Sequence, residues 1–271
     1  MIALRIDKNE IENRALTLRQ ERNIQTYGVK DIFSLIEQKD IHLIRYPFGK
    51  NVLLGFATVY EGKKVIVSNS SEILSREIFT IAHELGHILY DFGDCNQDIK
   101  IDIDIEDSNE DISEERAFYF ANCFLMPSDQ LTKFIKFALN KSQSTLTALD
   151  IVRIQLEFNV SYSAAVKRLH EVELITASQK NDLFNKRNEV TSGALFKLLD
   201  ADEKLLKASD IIKVPNQYLE YVTSNYENDY IPFSSLQNAL HLLGMNADMF
   251  RKEESTETDE VNIDDIFEEF A

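Results

Sequence analysis

Two of the chain's five histidines, His83 and His87, lie four positions apart in the stretch FTIAHELGHILYD, and Glu84 directly follows the first. On a helix, positions i and i+4 lie one turn apart on the same face, so both imidazoles can reach a single metal ion. Glu84 then lies about 100° round the helix from His83, which places its carboxylate beside such an ion. Zinc lowers the pKa of a bound water to about 7, so a carboxylate there is suited to accept its proton during hydrolysis.

The alternative interpretation is an ordinary core helix that contains histidine, since this motif arises by chance in on the order of one in a hundred such chains. The surrounding sequence favours the metal site. Apolar residues recur at helical spacing from Leu74 to Ile88, and Asn69 with Glu72 resembles a capping box before them. Two strand-like runs joined by Glu61 and Gly62 predict a β-hairpin upstream of this helix.

A catalytic zinc site needs a third protein ligand and an open position. A histidine at the metzincin spacing would fall at position 93, which is Gly93, so that class is excluded. The later stretch SEERAFYFANCFLMP, which predicts a helix ending at Pro127, offers Glu114 and Glu115.

The faces of this second helix distinguish the two glutamates. The positions that share the face of Glu114 are small or apolar: Ala117, Ala121 and Leu125. The corresponding positions for Glu115 form a less coherent inward face: Phe118, Asn122 and Met126. We therefore predict that Glu114 is the third zinc ligand.

The two motifs together resemble the ImmA/IrrE family of bacterial and phage metallo-endopeptidases, whose members typically cleave helix-turn-helix repressors or related regulators. SREIFTIAHELGHIL is followed, 27 residues after His87, by the pattern E-x-x-A-x-x-F-A-x-x-F-L-M-P. GFATVYEGKKVIVSN and FNVSYSAAVKRLHEVELI are similar to the family's strand pair and to its segment after the catalytic core, and the resemblance covers roughly residues 10 to 176. It implies that His83, His87 and Glu114 bind Zn²⁺ and that Glu84 is the general base.

Two positions depart from the family pattern. Family members often have histidine where this chain has Asp91, and Asn or Asp where it has Phe118. A polar residue near the site can orient a ligand imidazole, and this chain has no such residue at position 118, where Phe118 stands. Asp91 lies on the same helix face as the two histidines. It either orients an imidazole in place of the missing polar residue or is a solvated carboxylate.

The strand KVIVSN, just before the histidine helix, is predicted to be the sheet edge that holds an extended substrate; a buried central strand is the alternative. Stabilisation of the oxyanion could come from the metal or from a side-chain donor. Spacing does not distinguish among the donor candidates: Tyr90, Tyr119 and His170.

Residues 146–175 have the outline of a helix-turn-helix, in which basic side chains could contact phosphates: Arg153, Lys167 and Arg168. The net charge of -17 opposes binding to a nucleic acid, so helix packing or substrate recognition is the favoured role. We expect a soluble cytoplasmic protein without a membrane span, in which Cys95 and Cys123 are free thiols.

The acidic C-terminal tail contains an amphipathic stretch, VNIDDIFEEF. Its apolar residues fall at i, i+3, i+4 and i+7, which makes one stripe of a helix: Ile263, Ile266, Phe267 and Phe270. A plain solubility tail or a helix packed on its own domain is the ordinary interpretation. The hypothesis set against it is a docking element for a partner or for a second copy of the chain.

The sequence thus predicts an α+β fold: a small antiparallel sheet packed on a zinc-binding helix, as in a gluzincin-like peptidase, followed by helix-turn-helix-like and helical C-terminal parts. The expected divisions are a metallopeptidase core (1–135), a helix-turn-helix-like segment (136–180), a helical region (181–251) and an acidic tail (252–271), with 177–192 as the best boundary. The favoured function is zinc-dependent cleavage of a regulatory protein, such as a helix-turn-helix repressor or an antitoxin-like partner. The alternatives are a binding module that regulates a partner without cleavage and a DNA-binding regulator.

Overall fold

The computed structural model describes residues 6–38, 41–92, 100–102, 112–142 and 145–252. The elements up to the helix that carries Glu114 are α1 (Lys8–Glu21), α2 (Ile32–Glu37), β1 (Ile41–Tyr46), β2 (Gly55–Tyr60), β3 (Lys63–Asn69), α3 (Leu74–Tyr90), β4 (Lys100–Asp102) and α4 (Ile112–Leu125). The later helices are α5 (Ser128–Lys133), α6 (Ala148–Phe158), α7 (Tyr162–Glu171), α8 (Ala177–Glu189), α9 (Ser192–Leu198), α10 (Asn216–Glu227) and α11 (Phe233–His241). The predicted α+β class is confirmed.

The sheet has the order β1-β3-β2-β4 and is mixed. β2 pairs antiparallel with β3 and with β4, but β1 pairs parallel with β3 from Ile41 opposite Lys64 to Tyr46 opposite Asn69. The expectation of a purely antiparallel sheet is therefore wrong. β1 lies on the far side of β3 and is not a neighbour of β2, and its alternating pattern carries no information about which strand it joins.

The strand KVIVSN was expected at the edge of the sheet, but β3 lies between β1 and β2, so that expectation is wrong. The outer strands are β1 and β4. Burial agrees with the central position, because the four successive residues from Ile66 to Asn69 are all buried along β3. At the β1 edge, Arg45 and Lys213 exchange both backbone hydrogen bonds, at 2.8 and 2.9 Å.

The predicted hairpin between β2 and β3 is present, and Glu61 and Gly62 form its turn with φ of 49° and 75°. Positive φ at both positions matches the twist of the two strands. The predicted capping box is wrong, because α3 begins at Leu74 with Ile73 as its N-cap. Asn69 donates instead to the carbonyls of Gly49 and Leu53, at 2.7 Å each, and so holds the loop before β2.

Helices α3 and α4 pack together at a point where their backbones come close. A Cβ placed on Gly86 would lie 2.9 Å from the Cα of Ala117, closer than real Cβ atoms approach. Ala117, Ala121 and Leu125 are buried along this face of α4. The small residues therefore bring α4, and Glu114 at its start, against the histidine helix.

Two buried arginines bind the backbone at the C-terminal end of α4. Arg19 donates to the carbonyl of Phe124 at 2.9 Å, and Arg168 donates to that of Met126 at 3.2 Å. The last carbonyls of a helix lack partners within it, so these side chains satisfy them and favour the helix dipole. Arg168 is 1% exposed, which places one of the three predicted phosphate-contact candidates inside the core.

The chain divides into two compact units, at residues 1–215 and 216–271. The polar stretch at 177–192, expected as the boundary, forms α8 and the start of α9 within the first unit, and Leu183 and Phe196 belong to the main core. In the second unit, α10 and α11 share a small core of Tyr226, Leu236, Leu240 and Ala247.

Cys95 and the amphipathic stretch of the tail lie outside the described residues. Cys123 is a buried free thiol, and burial raises its pKa to about 11. Within the described residues, no helix has both the length and the apolar character to cross a membrane.

Candidate metal centre

His83, His87 and Glu114 come together where α3 faces the start of α4. The Nε2 atoms of the two histidines lie 3.0 Å apart, and Glu114 Oε2 lies 3.1 Å from His83 Nε2 and 3.3 Å from His87 Nε2. Both histidines are fully buried, and the Glu114 side chain is 14% exposed. The one-turn spacing on α3 and the close α3–α4 contact together aim three donor atoms at one point.

These distances fit a metal ion. Ligands at zinc–ligand distances of about 2.0 to 2.1 Å in a tetrahedron lie about 3.3 Å from one another. The three donor atoms of His83, His87 and Glu114 lie within 4.8 Å of one another in every pairing. Two imidazoles and a carboxylate are also a donor set found in catalytic zinc sites. The group could therefore hold a metal with little rearrangement.

Glu84 and Glu115 have contrasting positions. Glu84 is fully buried beside His83 on α3, whereas Glu115 is exposed on α4. The helix-face argument that distinguished Glu114 from Glu115 thus agrees with the observed packing. A buried carboxylate that directly follows a residue of the cluster on the same helix is the kind of group that can accept a proton in hydrolysis.

Asp91 lies against the outer nitrogen of His87. Its Oδ2 is 2.6 Å from His87 Nδ1 and accepts from the Ser113 hydroxyl at 2.6 Å, while Arg116 donates to its other oxygen. Burial alone would lower the pKa of His87, but hydrogen bonds to Asp91 and Glu114 outweigh it and raise that pKa to about 9. Asp91 therefore orients this imidazole with Nε2 toward Glu114 and His83.

Glu114 is held in the ionised form. Its partial burial would raise the pKa of the carboxyl, but the hydrogen bonds and charges of His83 and His87 outweigh burial and depress that pKa strongly. An anionic carboxylate is the form that ligates a metal cation.

Sequence reasoning did not identify Ser113, Arg116 or Phe79 as neighbours of the site. Ser113 directly precedes Glu114, and Arg116 is two positions after it, but neither has a spacing that marks it on its own. Phe79 and Phe118 contact each other with ring centroids 5.3 Å apart. An aromatic pair thus lies where the family pattern has a polar residue.

The three side-chain candidates for oxyanion stabilisation are separated by the structure. Tyr119 donates to Glu12 of α1, on the opposite side of α4 from Glu114, and His170 lies on α7. Tyr90 lies on α3 with Arg116 stacked over its ring at 5.0 Å, and burial raises the pKa of its hydroxyl. Tyr90 therefore contacts Arg116, which in turn donates a hydrogen bond to Asp91 next to the cluster.

Comparison with known proteins gives a family for the domain that carries this cluster. Residues 36–170 match the IrrE N-terminal-like domain of peptidase family M78. No curated protein matches the chain in sequence. The matched range includes the sheet, α3 and α4, which supply all three residues of the cluster, and it supports a peptidase with a protein substrate. Residues 36–170 of the chain are therefore an IrrE N-terminal-like domain of peptidase family M78, which agrees with the resemblance to the ImmA/IrrE family.

Proposed function

We propose that this protein is a zinc-dependent endopeptidase that cleaves a regulatory protein, such as a helix-turn-helix repressor or an antitoxin-like partner. The observation that carries the proposal is the cluster of His83, His87 and Glu114, whose donor atoms lie 3.0 to 3.3 Å apart. The buried Glu84 directly follows His83 on α3. Membership of a peptidase family supports hydrolysis of a peptide bond as the reaction.

The residues of the site have different roles in the proposed hydrolysis. Zinc bound by His83, His87 and Glu114 would polarise the scissile carbonyl and acidify a water molecule. Glu84 accepts the proton as that water attacks and can return it to the leaving amine. Asp91 keeps the His87 ring in the orientation that presents Nε2.

The charge of the chain supports a basic protein as the partner. A net charge of -17 attracts a cationic surface over long range, and proteins that bind DNA carry such surfaces. The same charge opposes direct binding to nucleic acid. Two of the three basic residues suggested for phosphate contact are engaged within the fold, because Arg168 is buried and Arg153 pairs with Asp150 at 2.9 Å.

A paired experiment tests the proposal. Wild type and Glu84→Gln are each co-expressed with candidate regulators, cleavage is followed by mass spectrometry, and the zinc content of the purified chains is measured. We expect one zinc in both forms and cleavage by wild type alone, because an amide cannot accept the proton. The exposed Glu115→Gln is the matched control and should keep both properties.

The outcomes separate the proposal from its rival. Full cleavage by Glu84→Gln would remove Glu84 from the mechanism, and absence of zinc from wild type would remove the metal. A wild type that binds a regulator tightly without cleaving it would favour the binding module.

A further inference from the structure

The Phe79–Phe118 pair is a partly exposed apolar contact one helical turn from the metal cluster. Phe118 is 37% exposed and Phe79 is half-buried, and the rings are tilted by 58° with their centroids 5.3 Å apart. Exposed aromatic surface is costly in water, so a pair of rings beside a reactive site suggests a use other than packing.

The pair occupies a defined place along the contact between α3 and α4. The two helices run antiparallel, and their contacts proceed from Asp91 with Ser113, through His83 with Glu114, to Phe79 with Phe118. The α3–α4 contact therefore has an acidic, hydrogen-bonded end, the candidate metal ligands in the middle and an apolar end.

The spacing matches the repeat of a bound peptide. Phe79 lies four residues before His83, and Phe118 lies four residues after Glu114, so each phenylalanine is about 6 Å along its helix from these two residues. Successive residues of an extended chain are about 3.3 Å apart, and alternate side chains point to the same side. A side chain that adjoins the bond held at the metal can thus reach these rings.

We infer that Phe79 and Phe118 form an apolar subsite that selects a substrate with a large apolar side chain next to the scissile bond. The inference rests on the proposed function, because it needs the bond to be positioned at the metal. It also gives a role in substrate selection to Phe118, whose position often holds Asn or Asp in the family pattern. A polar residue there would leave the apolar end of the α3–α4 contact without its exposed ring.

Binding of zinc-anchored probes tests the subsite without relying on turnover. Hydroxamates carrying a glycine-, leucine-, phenylalanine- or glutamate-like side chain are titrated into the zinc-loaded chain by calorimetry. Two series are used, N-acetyl amino-acid hydroxamates and 2-substituted succinyl hydroxamates, because they place the side chain on opposite sides of the metal-anchored group. In at least one series, the leucine and phenylalanine forms should bind about 10- to 30-fold tighter than the glycine form.

Variants assign the preference to the ring pair. Phe118→Asn should reduce the apolar-to-glycine affinity ratio to about 3-fold or less, whereas Phe118→Leu should retain most of it. Phe79→Ser supplies an independent arm should Phe118→Asn fail to fold. Phe137→Ser, which removes a ring that is 67% exposed on the segment after α5, is the control and should leave the ratio unchanged.

The results distinguish this inference from the proposed function. Zinc uptake with equal affinities throughout both series overturns the subsite and leaves the peptidase proposal intact. An unchanged ratio in folded Phe118→Asn and Phe79→Ser also overturns it. A chain that takes up no zinc overturns the proposed function and this inference with it.

Discussion

Asp91 Oδ2 lies 2.6 Å from Nδ1 of His87, one helical turn away at the end of α3. A carboxylate in this position accepts a hydrogen bond from the Nδ1–H group and so directs Nε2 at the other donor atoms of the cluster. Ser113 and Arg116 hold the same carboxylate from α4, so the orientation of His87 depends on both helices.

Replacement of Asp91 should weaken metal binding without abolishing it. We expect Asp91→Ala to lower zinc affinity about 10- to 100-fold, because His87 loses the group that orients its ring. Competition with a zinc-chelating dye measures the change, and the exposed Glu115→Ala is the control. Unchanged affinity would mean that packing alone orients His87.

Gly86 should be required for the close approach of α3 and α4. Gly86→Ala puts a methyl group about 2.9 Å from the Ala117 backbone, so the helices must separate. We expect a loss of about 1 to 3 kcal/mol in the free energy of unfolding, together with weaker zinc binding. Urea denaturation and dye competition measure the two effects.

Gly193→Ala is the matched control for Gly86→Ala. Its added methyl group would lie 3.8 Å from Glu203 Oε1, which is an ordinary contact. Alanine favours the helix, so the variant should be neutral or more stable by about 0.5 to 1 kcal/mol. Equal effects of the two substitutions would contradict the packing argument.

Arg19 should stabilise the folded chain through its hydrogen bonds. It donates to the carbonyls of Phe124, Thr26 and Tyr27 at 2.8 to 2.9 Å, and burial lowers the pKa of its guanidinium to about 10, which keeps it charged at neutral pH. Arg19→Met leaves these carbonyls without that donor and should cost about 2 to 4 kcal/mol of unfolding free energy.

The comparison for Arg19→Met is Arg22→Met on the same helix end. Arg22 makes one exposed hydrogen bond, at 3.2 Å to the carbonyl of Gln38, so its loss should cost less than about 1 kcal/mol. Chemical denaturation of both variants tests the difference. Equal losses of unfolding free energy would show that Arg19 contributes no more to stability than an exposed arginine.

Asp150 should give the chain a stability that depends on pH. It is fully buried, and although burial would raise the pKa of its carboxyl, hydrogen bonds from Lys141 at 2.6 Å and from Thr147 lower it overall. A depressed folded-state pKa contributes stability above the unfolded value of about 3.9, and this is lost as pH falls through the folded pKa.

Asp150→Asn should therefore cost about 1.5 to 3 kcal/mol of unfolding free energy at pH 7, and the difference from wild type should shrink below about pH 4. Urea denaturation at pH 7, 4 and 3 measures this dependence. Asp129→Asn, whose side chain is 47% exposed, should change stability by less than about 0.5 kcal/mol. A penalty for Asp150→Asn that stays constant with pH would contradict the role of its charge.

The amphipathic stretch of the tail stays a prediction for partner docking. Deletion of residues 255–271 should leave zinc content and melting temperature nearly unchanged while weakening the binding of a protein partner. Calorimetric melting and pull-down of the co-expressed regulator test this. A truncated chain that melts well below wild type would place Ile263, Ile266, Phe267 and Phe270 in the chain's own fold.

Local spacing was sufficient to predict that His83, His87 and Glu114 come together. His83, Glu84 and His87 depend on the geometry of one helix, and the choice of Glu114 over Glu115 depends on which face of a second helix is small and apolar. The hairpin at Glu61 and Gly62 also follows from neighbouring residues. Interactions of this kind are set by residues a few positions apart, so they can be derived from the order of side chains alone.

Only the tertiary structure showed what depends on contacts between distant segments. β3 is central because β1 pairs with it in parallel, and the alternation along a strand does not name its neighbours. Arg168 was a phosphate-contact candidate by its charge, but it is buried at the end of α4. Asp91 with Arg116 and Phe79 with Phe118 each join α3 to α4, and such pairs exist only after packing brings two helices within contact distance.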